Sequence, residues 1–545
     1  LDQVVGDVRR TLVVLLGSVA LVLLIACANV ANLLLTRAAG RQREMAVRAA
    51  LGAGWQRLMR QLLTESVSLA LLGGIAGIAI AQGSLYVVRA INPGNIPRLD
   101  DIRINAAVIV FTFGISLLTG ILFGLAPVWS AIKLDLNTAL KSGGRNGHDG
   151  GGLRIARHQL RGLLVVLELA FSVMLLIGAG LLVRSFFRIE AVPPGFATDH
   201  IISMRAVVTG PKYRQEGALA QFYKDIGDRI RQLPGVKSYG FVSTLPLTGA
   251  VSWGGINVEG YTPEPGQELQ ADQRTADTDY FSTMQIPLIQ GRYFSDFDTK
   301  TSQVVAIIDQ KFAQRFWPRG DAVGKHLWFD PKKPMVIAGV VGNVKQYGLD
   351  SDTKIAVYFA AQQGGGSGNY VVARTASDPA ALANPIAAQV HAVDPDAVVY
   401  DVRTMQDRLY ASLARQRFAS ALLGSFAVFA MILAAIGVYG VMSHLVTQST
   451  HEIGIRVALG AQAGSILGMV VQQGLTLAGA GIVAGLIGAF ALTRVMTSLL
   501  FGVSSLDWIT FCSVAFILAV VASGATVIPA SRAIKIDPTV ALRED

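Results

Sequence analysis

The residues best placed to do work in this chain occur twice. Glu44-Met45-Ala46-Val47-Arg48-Ala49-Ala50-Leu51-Gly52-Ala53 and Glu452-Ile453-Gly454-Ile455-Arg456-Val457-Ala458-Leu459-Gly460-Ala461 share a Glu-x-x-x-Arg pair followed by Leu-Gly-Ala, about 408 residues apart. On a helix, charges four residues apart lie on one face and stabilise it by about 0.3–0.5 kcal/mol. Stability alone would make this a solvated helix face, but it does not explain why Leu-Gly-Ala recurs behind the pair. Glycine there ends or bends the helix. Each passage therefore reads as a short lever at the membrane surface, suited to docking on a partner.

Bond-making chemistry is poorly represented. The seven histidines form neither HExxH nor a close pair, and Cys27 and Cys512 sit in apolar runs without CxxC or Cys/His spacing. No metal site, disulfide framework or cofactor is expected. The sequence also lacks the GxSxG elbow and the GxxxxGK[ST] phosphate loop, so neither hydrolase activity nor ATP hydrolysis by this chain is expected, and no residue is assigned a catalytic role. Arg154, Arg157, His158 and Arg161 share a helix face. They fit contact with anionic lipid headgroups and ordinary positive flanking charge equally well. Glu168 lies inside an apolar run, where a carboxyl is expensive; pairing or snorkelling is expected ahead of a proton relay. Asn29 and Asn32 share one face of the first run and read as interhelical glue.

The elements that must position these residues are membrane helices. With 52% hydrophobic and 15% charged residues and a mean hydropathy of +0.47, the chain is too apolar for an ordinary soluble protein. Its net charge of +10 follows basic residues beside apolar runs, so no nucleic-acid partner is expected. Seven runs of spanning length are predicted, at about 11–36, 67–89, 107–131, 162–183, 418–442, 469–493 and 508–530. Glycines such as Gly73, Gly74, Gly77, Gly479, Gly481, Gly485 and Gly488 suit close helix packing. The basic segments after the first and third runs belong on the cytoplasmic side, which puts the long region 185–417 outside. That region mixes strand and helix patterns and reads as two α/β lobes. A second repeat pairs Pro127–Leu140 with Pro529–Leu542. The predicted domains are 1–142, a three-helix bundle; 143–161, a linker and basic helix; 162–184, a helix opening the second unit; 185–417, the outer domain; and 418–545, the second three-helix bundle. By repeat symmetry, an opening helix and outer domain of the first unit are expected ahead of residue 1.

These features resemble the MacB/FtsX family of ABC-transporter permeases, in particular the acidobacterial-type duplicated orphan permeases. The likeness rests on the two Glu-x-x-x-Arg-x-x-Leu-Gly-Ala passages and the two Ala-Ile-Lys-x-Asp endings. In the outer region it rests on Asp279-Tyr280-Phe281, Ile286–Arg292, Phe316-Trp317-Pro318, Val323-Gly324-Lys325 and Ile337–Gly342. The resemblance implies a polytopic α-helical membrane protein, two FtsX-like bundles with one α/β extracytoplasmic MacB-type domain. It implies a permease of the bacterial inner membrane, coupled to a cytoplasmic ABC ATPase on another chain. Movement would pass to the periplasmic domain for efflux or extracytoplasmic cargo handling, with an adaptor or cargo as a further partner. Glu44, Arg48, Leu51, Gly52, Glu452, Arg456, Leu459 and Gly460 would then form the ATPase-docking elements, and Arg154, Arg157 and Arg161 the lipid-interface set. An ion-coupled secondary transporter and a membrane-anchored sensor are the alternatives.

Overall fold

The computed structural model describes residues 2–40, 55–91, 103–132, 151–215, 217–364, 370–449, 455–456, 459 and 462–533. The chain opens with four long helices: α1 (Asp2–Gly40), α2 (Trp55–Ile91), α3 (Ala106–Ile132) and α4 (Gly151–Glu190). There follow β1 (Ile201–Val207), α5 (Ala218–Arg231), β2 (Val236–Val242), β3 (Trp253–Gly255), β4 (Asn257–Val258), β5 (Gln270–Ala276), α6 (Tyr280–Met284) and β6 (Leu288–Gly291). Next come β7 (Val305–Asp309), α7 (Gln310–Phe316), β8 (His326–Trp328), β9 (Met335–Val341), β10 (Ala356–Ala360), β11 (Tyr370–Thr375), α8 (Ala383–Val393), β12 (Val398–Thr404) and α9 (Met405–Ser412). Three long helices close the chain: α10 (Ala414–Gln448), α11 (Ala463–Met496) and α12 (Trp508–Ala533). Two compact units result, a helical one (Leu1–Arg188 with Gln416–Asp545) and an α/β one (Ile189–Arg415).

Six helices of the helical unit are long and apolar enough to cross a membrane. The remaining predicted run, 107–131, corresponds to α3, whose apolar stretch among the described residues is Ala106–Ile121, shorter than a full span. The core of this unit follows from one stripe of α4. Val165, Leu169, Val173, Ile177 and Leu181 recur every fourth residue and pack with Ala434 and Val438 of α10, Ala478 and Ala489 of α11, and Leu518 of α12. Residues four apart form a continuous ridge inclined to the helix axis, so one row can meet all three neighbours. Glycine lets α11 approach that face: a Cβ on Gly481 would stand 2.6 Å from the Leu169 Cβ, and one on Gly488 2.8 Å from the Met174 sulfur. Gly74 lies close to Phe113 on α3, whereas Gly73, Gly77 and Gly479 face open space. The glycine-packing expectation thus holds where a helix lies opposite and fails at those three positions.

The α/β unit is a single sheet of twelve strands, ordered β12-β1-β11-β2-β5-β10-β7-β9-β8-β4, with β3 added on β5 and β6 on β9. The two predicted lobes are its two ends. They join at β2 and β5, where pairing narrows to Val242 opposite Ala276. At one end, α5 and α8 bury Phe222, Tyr223, Ile226, Ile230, Ile386 and Val390 against β1 and β11. At the other, Phe312 of α7 and Trp317 close over β7, β9 and β10. Around the joint a third core gathers Tyr280, Phe281 and Met284 of α6 with Val242, Ala276 and Tyr358. That short helix fastens both ends of the sheet together.

Buried carboxyls give this unit a pH signature. Burial pushes Asp277 up to about 8 and Asp309 up to about 7, the latter although its Oδ1 accepts from the backbone N–H groups of Phe312 and Ala356 at 2.9 and 3.1 Å. Asp394 goes the other way: the Tyr213 hydroxyl at 2.5 Å and the Lys212 ammonium at 2.9 Å hold it at about 2. A carboxyl raised on folding contributes stability below its unfolded value, near about 4, and loses it as pH rises through the folded value. Thermal unfolding of the full chain in detergent should therefore show the α/β unit weakening from about pH 4 to about pH 8. Asp277→Asn and Asp309→Asn should flatten that fall. Asp394 acts in the opposite window, losing its contribution as pH drops through about 2. An unchanged slope in both Asn variants would contradict the assignment.

Candidate functional site

The two repeated Glu-x-x-x-Arg-x-x-Leu-Gly-Ala passages fall in the chain between α1 and α2 and between α10 and α11. Glu44, Arg48, Leu51, Gly52, Glu452 and Gly460 fall outside the described residues. Of the second passage, Ile455 and Arg456 are helical and exposed. The Leu459 N–H donates to the Ile455 carbonyl at 3.0 Å, and its side chain is 82% exposed. The Arg456 guanidinium reaches the Met469 sulfur of α11 at 3.0 Å. A helical turn thus precedes α11, with the Ile455 and Leu459 side chains exposed beside it.

Of the basic set ahead of the fourth span, Arg154 and Arg157 lie on α4, their side chains outside the described residues, and Arg161 is 7% exposed. Arg161 therefore packs inside the helical unit instead of reaching lipid, because the α4 stripe that starts at Val165 already turns this face inward.

Two features that carry force had no signal in the sequence. At the other end of α4, Arg184 pairs with Asp507, which also accepts from the Thr510 N–H at 3.1 Å and caps the start of α12. Beside it, the Phe501 N–H donates to the Ser185 Oγ at 2.8 Å. These contacts tie the end of α4 to the loop between α11 and α12. Within the α/β unit, Arg408 of α9 is 4% exposed. It donates to the Ser203 Oγ at 2.7 Å and to the Asp401 carboxylate and carbonyl at 2.8 and 2.7 Å. Asp401 sits at φ 53, in the left-handed region that an aspartate tolerates better than most residues. The clasp locks β12 and β1 to α9, the last element before the chain enters α10. Among the described residues no cluster of His, Cys, Asp and Glu could hold a metal ion.

Glu168 is 1% exposed and accepts a hydrogen bond from the Asn29 side-chain amide of α1. The expected pairing is present, and its partner is the residue expected to glue helices.

A helical bundle made of two copies of one repeat, with an α/β domain between the helices of the second, defines a permease-type membrane protein. Residues 16–136 and 424–538 match the FtsX-like permease C-terminal family, and residues 163–389 match the MacB-like periplasmic core domain. The chain belongs to the MacB/FtsX-type ABC permeases. Among relatives, it is 27% identical over 280 residues to the pyoverdine export ATP-binding/permease protein PvdT of Pseudomonas savastanoi pv. phaseolicola, covering 49% of this chain and 42% of that protein. It is 32% identical over 139 residues to the macrolide export ATP-binding/permease protein MacB of Azoarcus sp., covering 25% and 20%. To the uncharacterized ABC transporter permease YknZ of Bacillus subtilis it is 35% identical over 138 residues, covering 25% and 33%. The match thus spans less than half the length of each of these relatives. The crystal structure of the periplasmic region of MacB from Actinobacillus actinomycetemcomitans aligns over 42% of this chain and 97% of its own, at 13% identity and a TM-score of 0.28.

Proposed function

We propose that this chain is the permease of an exporter-type ABC system, working in the bacterial cytoplasmic membrane with its α/β unit in the periplasm. A separate cytoplasmic ABC ATPase docks on the two Glu-x-x-x-Arg-x-x-Leu-Gly-Ala passages, and its closure moves the helices. Motion leaves the helical unit through α4 and α10, the two helices that continue into the α/β unit in the chain. The observation that carries this reading is that each FtsX match contains one passage and the two matches bracket the MacB-type core. Arg154 and Arg157 are assigned to lipid headgroups of the cytoplasmic leaflet. Efflux is the shared part of the reading, because the relatives' names give different cargoes, pyoverdine and a macrolide; a periplasmic adaptor or cargo is the further partner.

Co-purification of the full protein with candidate ABC ATPases tests this. Substituting Glu452 and Arg456 by Ala, or Glu44 and Arg48, should each weaken ATPase binding about tenfold, or about 1.4 kcal/mol. All four together should abolish it. Binding indifferent to all four changes would end the docking proposal.

A further inference from the structure

The two repeats differ where their first helices meet the rest of the bundle. At the repeat spacing of about 408 residues, Asn29-Val30-Ala31-Asn32 on α1 corresponds to Gly437-Val438-Tyr439-Gly440 on α10. The family matches begin at residues 16 and 424, in the same register. Two buried asparagines of one copy therefore stand where the other copy has two glycines. The Asn29 amide donates to the Glu168 carboxylate of α4 and to the Leu433 carbonyl of α10, the latter at 3.1 Å. A Cβ on Gly437 would overlap that carboxylate, standing 2.7 Å from its carbon, whereas one on Gly440 meets nothing within 4 Å. Of the two glycines, only Gly437 faces the Glu168 carboxylate, so a Cβ there would have to displace the carboxylate from its place beside Asn29. Ser172 ties the same stretch of α4 to α10 through the Ala430 carbonyl at 3.2 Å, and Ile25, Leu175 and Ala430 close the apolar side.

We propose that the α4–α10 surface of the second repeat recognises the asparagine-bearing helix of the first repeat and rejects a second copy of α10. With α1 in place, the buried carboxylate receives an amide donor. With another α10 in that place, glycine would stand at the matching position and leave Glu168 buried without a donor, which is costly in an apolar interior. Buried polar contacts of this kind are best attested as devices that fix register and partner. The duplication has become asymmetric: the second half pairs with the first half of its own chain, not with the second half of a neighbour.

The test uses the full chain in membrane vesicles, with Cys27→Ser and Cys512→Ser, and with Ile25→Cys and Ala430→Cys on facing helices. A short bifunctional thiol reagent should link these mainly within one chain. Asn29→Leu, Glu168→Leu and Gly437→Ala should each lower that yield severalfold and raise links between chains, while Gly440→Ala leaves it unchanged. Asn29→Asp should lower it too, by setting two carboxyls together. Adding Glu168→Gln should then restore much of it, since the new amide on α4 donates to the new carboxylate on α1, while the bond to the Leu433 carbonyl stays lost. This rescue distinguishes recognition from misfolding. Yields unaffected by Asn29→Leu, or no recovery in the Asn29→Asp, Glu168→Gln pair, would overturn the proposal.

Discussion

Arg274→Ala is expected to destabilise the α/β unit by about 3–5 kcal/mol, the usual cost of leaving a buried charge alone. Asp272 and Arg274 are two apart on β5, so they share one face of the strand. Their side chains are 0% and 1% exposed and meet at 3.0 Å. The guanidinium also donates to the Thr244 carbonyl, and Tyr358 and Gln346, bonded to each other at 3.0 Å, are buried as well. Without the arginine, the Asp272 carboxylate faces this interior uncompensated. The double variant Asp272→Leu, Arg274→Met removes both charges and should cost far less, because apolar replacement of a whole buried pair is often neutral. Arg231, which pairs with Asp228 and Asp279 while 40% exposed, gives the solvated comparison: Arg231→Ala should cost under about 1 kcal/mol. Hydrogen exchange at the β5 and β10 amides of the full chain reads all three. If Arg274→Ala costs no more than the double variant, the pair is not what holds this joint.

That pair also marks how far the sequence could be read. Gln270–Ala276 reads QADQRTA, with no apolar alternation, so nothing local announces a central buried strand. By contrast β1, β7, β9 and β12 are β-branched runs and were legible as strands. The long helices were legible for a similar reason, since each is one continuous apolar segment. The repeat placed both Glu-x-x-x-Arg-x-x-Leu-Gly-Ala passages, yet only residues 455, 456 and 459 of them are described. Glu168 announced a need for a partner through its type and setting. Which residue answers that need depends on how helices 139 residues apart come together, a tertiary fact with no local pattern. The same holds for Arg184 with Asp507 and for Arg408 with Asp401: the sequence supplies the charges, and packing supplies the pairs.

Packing likewise decides what a glycine is for, and Gly485→Leu is expected to show it. A Cβ at 485 would stand 2.8 Å from the Ala170 carbonyl oxygen and 3.0 Å from its Cα, and closer still to the Val173 Cβ. These are atoms of a helix backbone and a β-branched side chain, which cannot swing away as the tip of a flexible chain could. Leucine would have to push α11 off the α4 stripe, giving up the close contact that holds membrane helices together. A cost of about 1–3 kcal/mol is the usual range for overpacking, and backbone contact places this site at the upper end. Gly479→Leu lies on the same helix and meets nothing within 4 Å, so it should leave the thermal midpoint of the purified protein unchanged. At the repeat spacing, Gly77 of α2 is the counterpart of Gly485, yet it too faces open space. Gly77→Leu in this chain should therefore behave like Gly479→Leu. Were Gly77→Leu and Gly485→Leu to lower the midpoint equally, the repeat position itself, and not the α4 contact, would be setting the requirement for glycine.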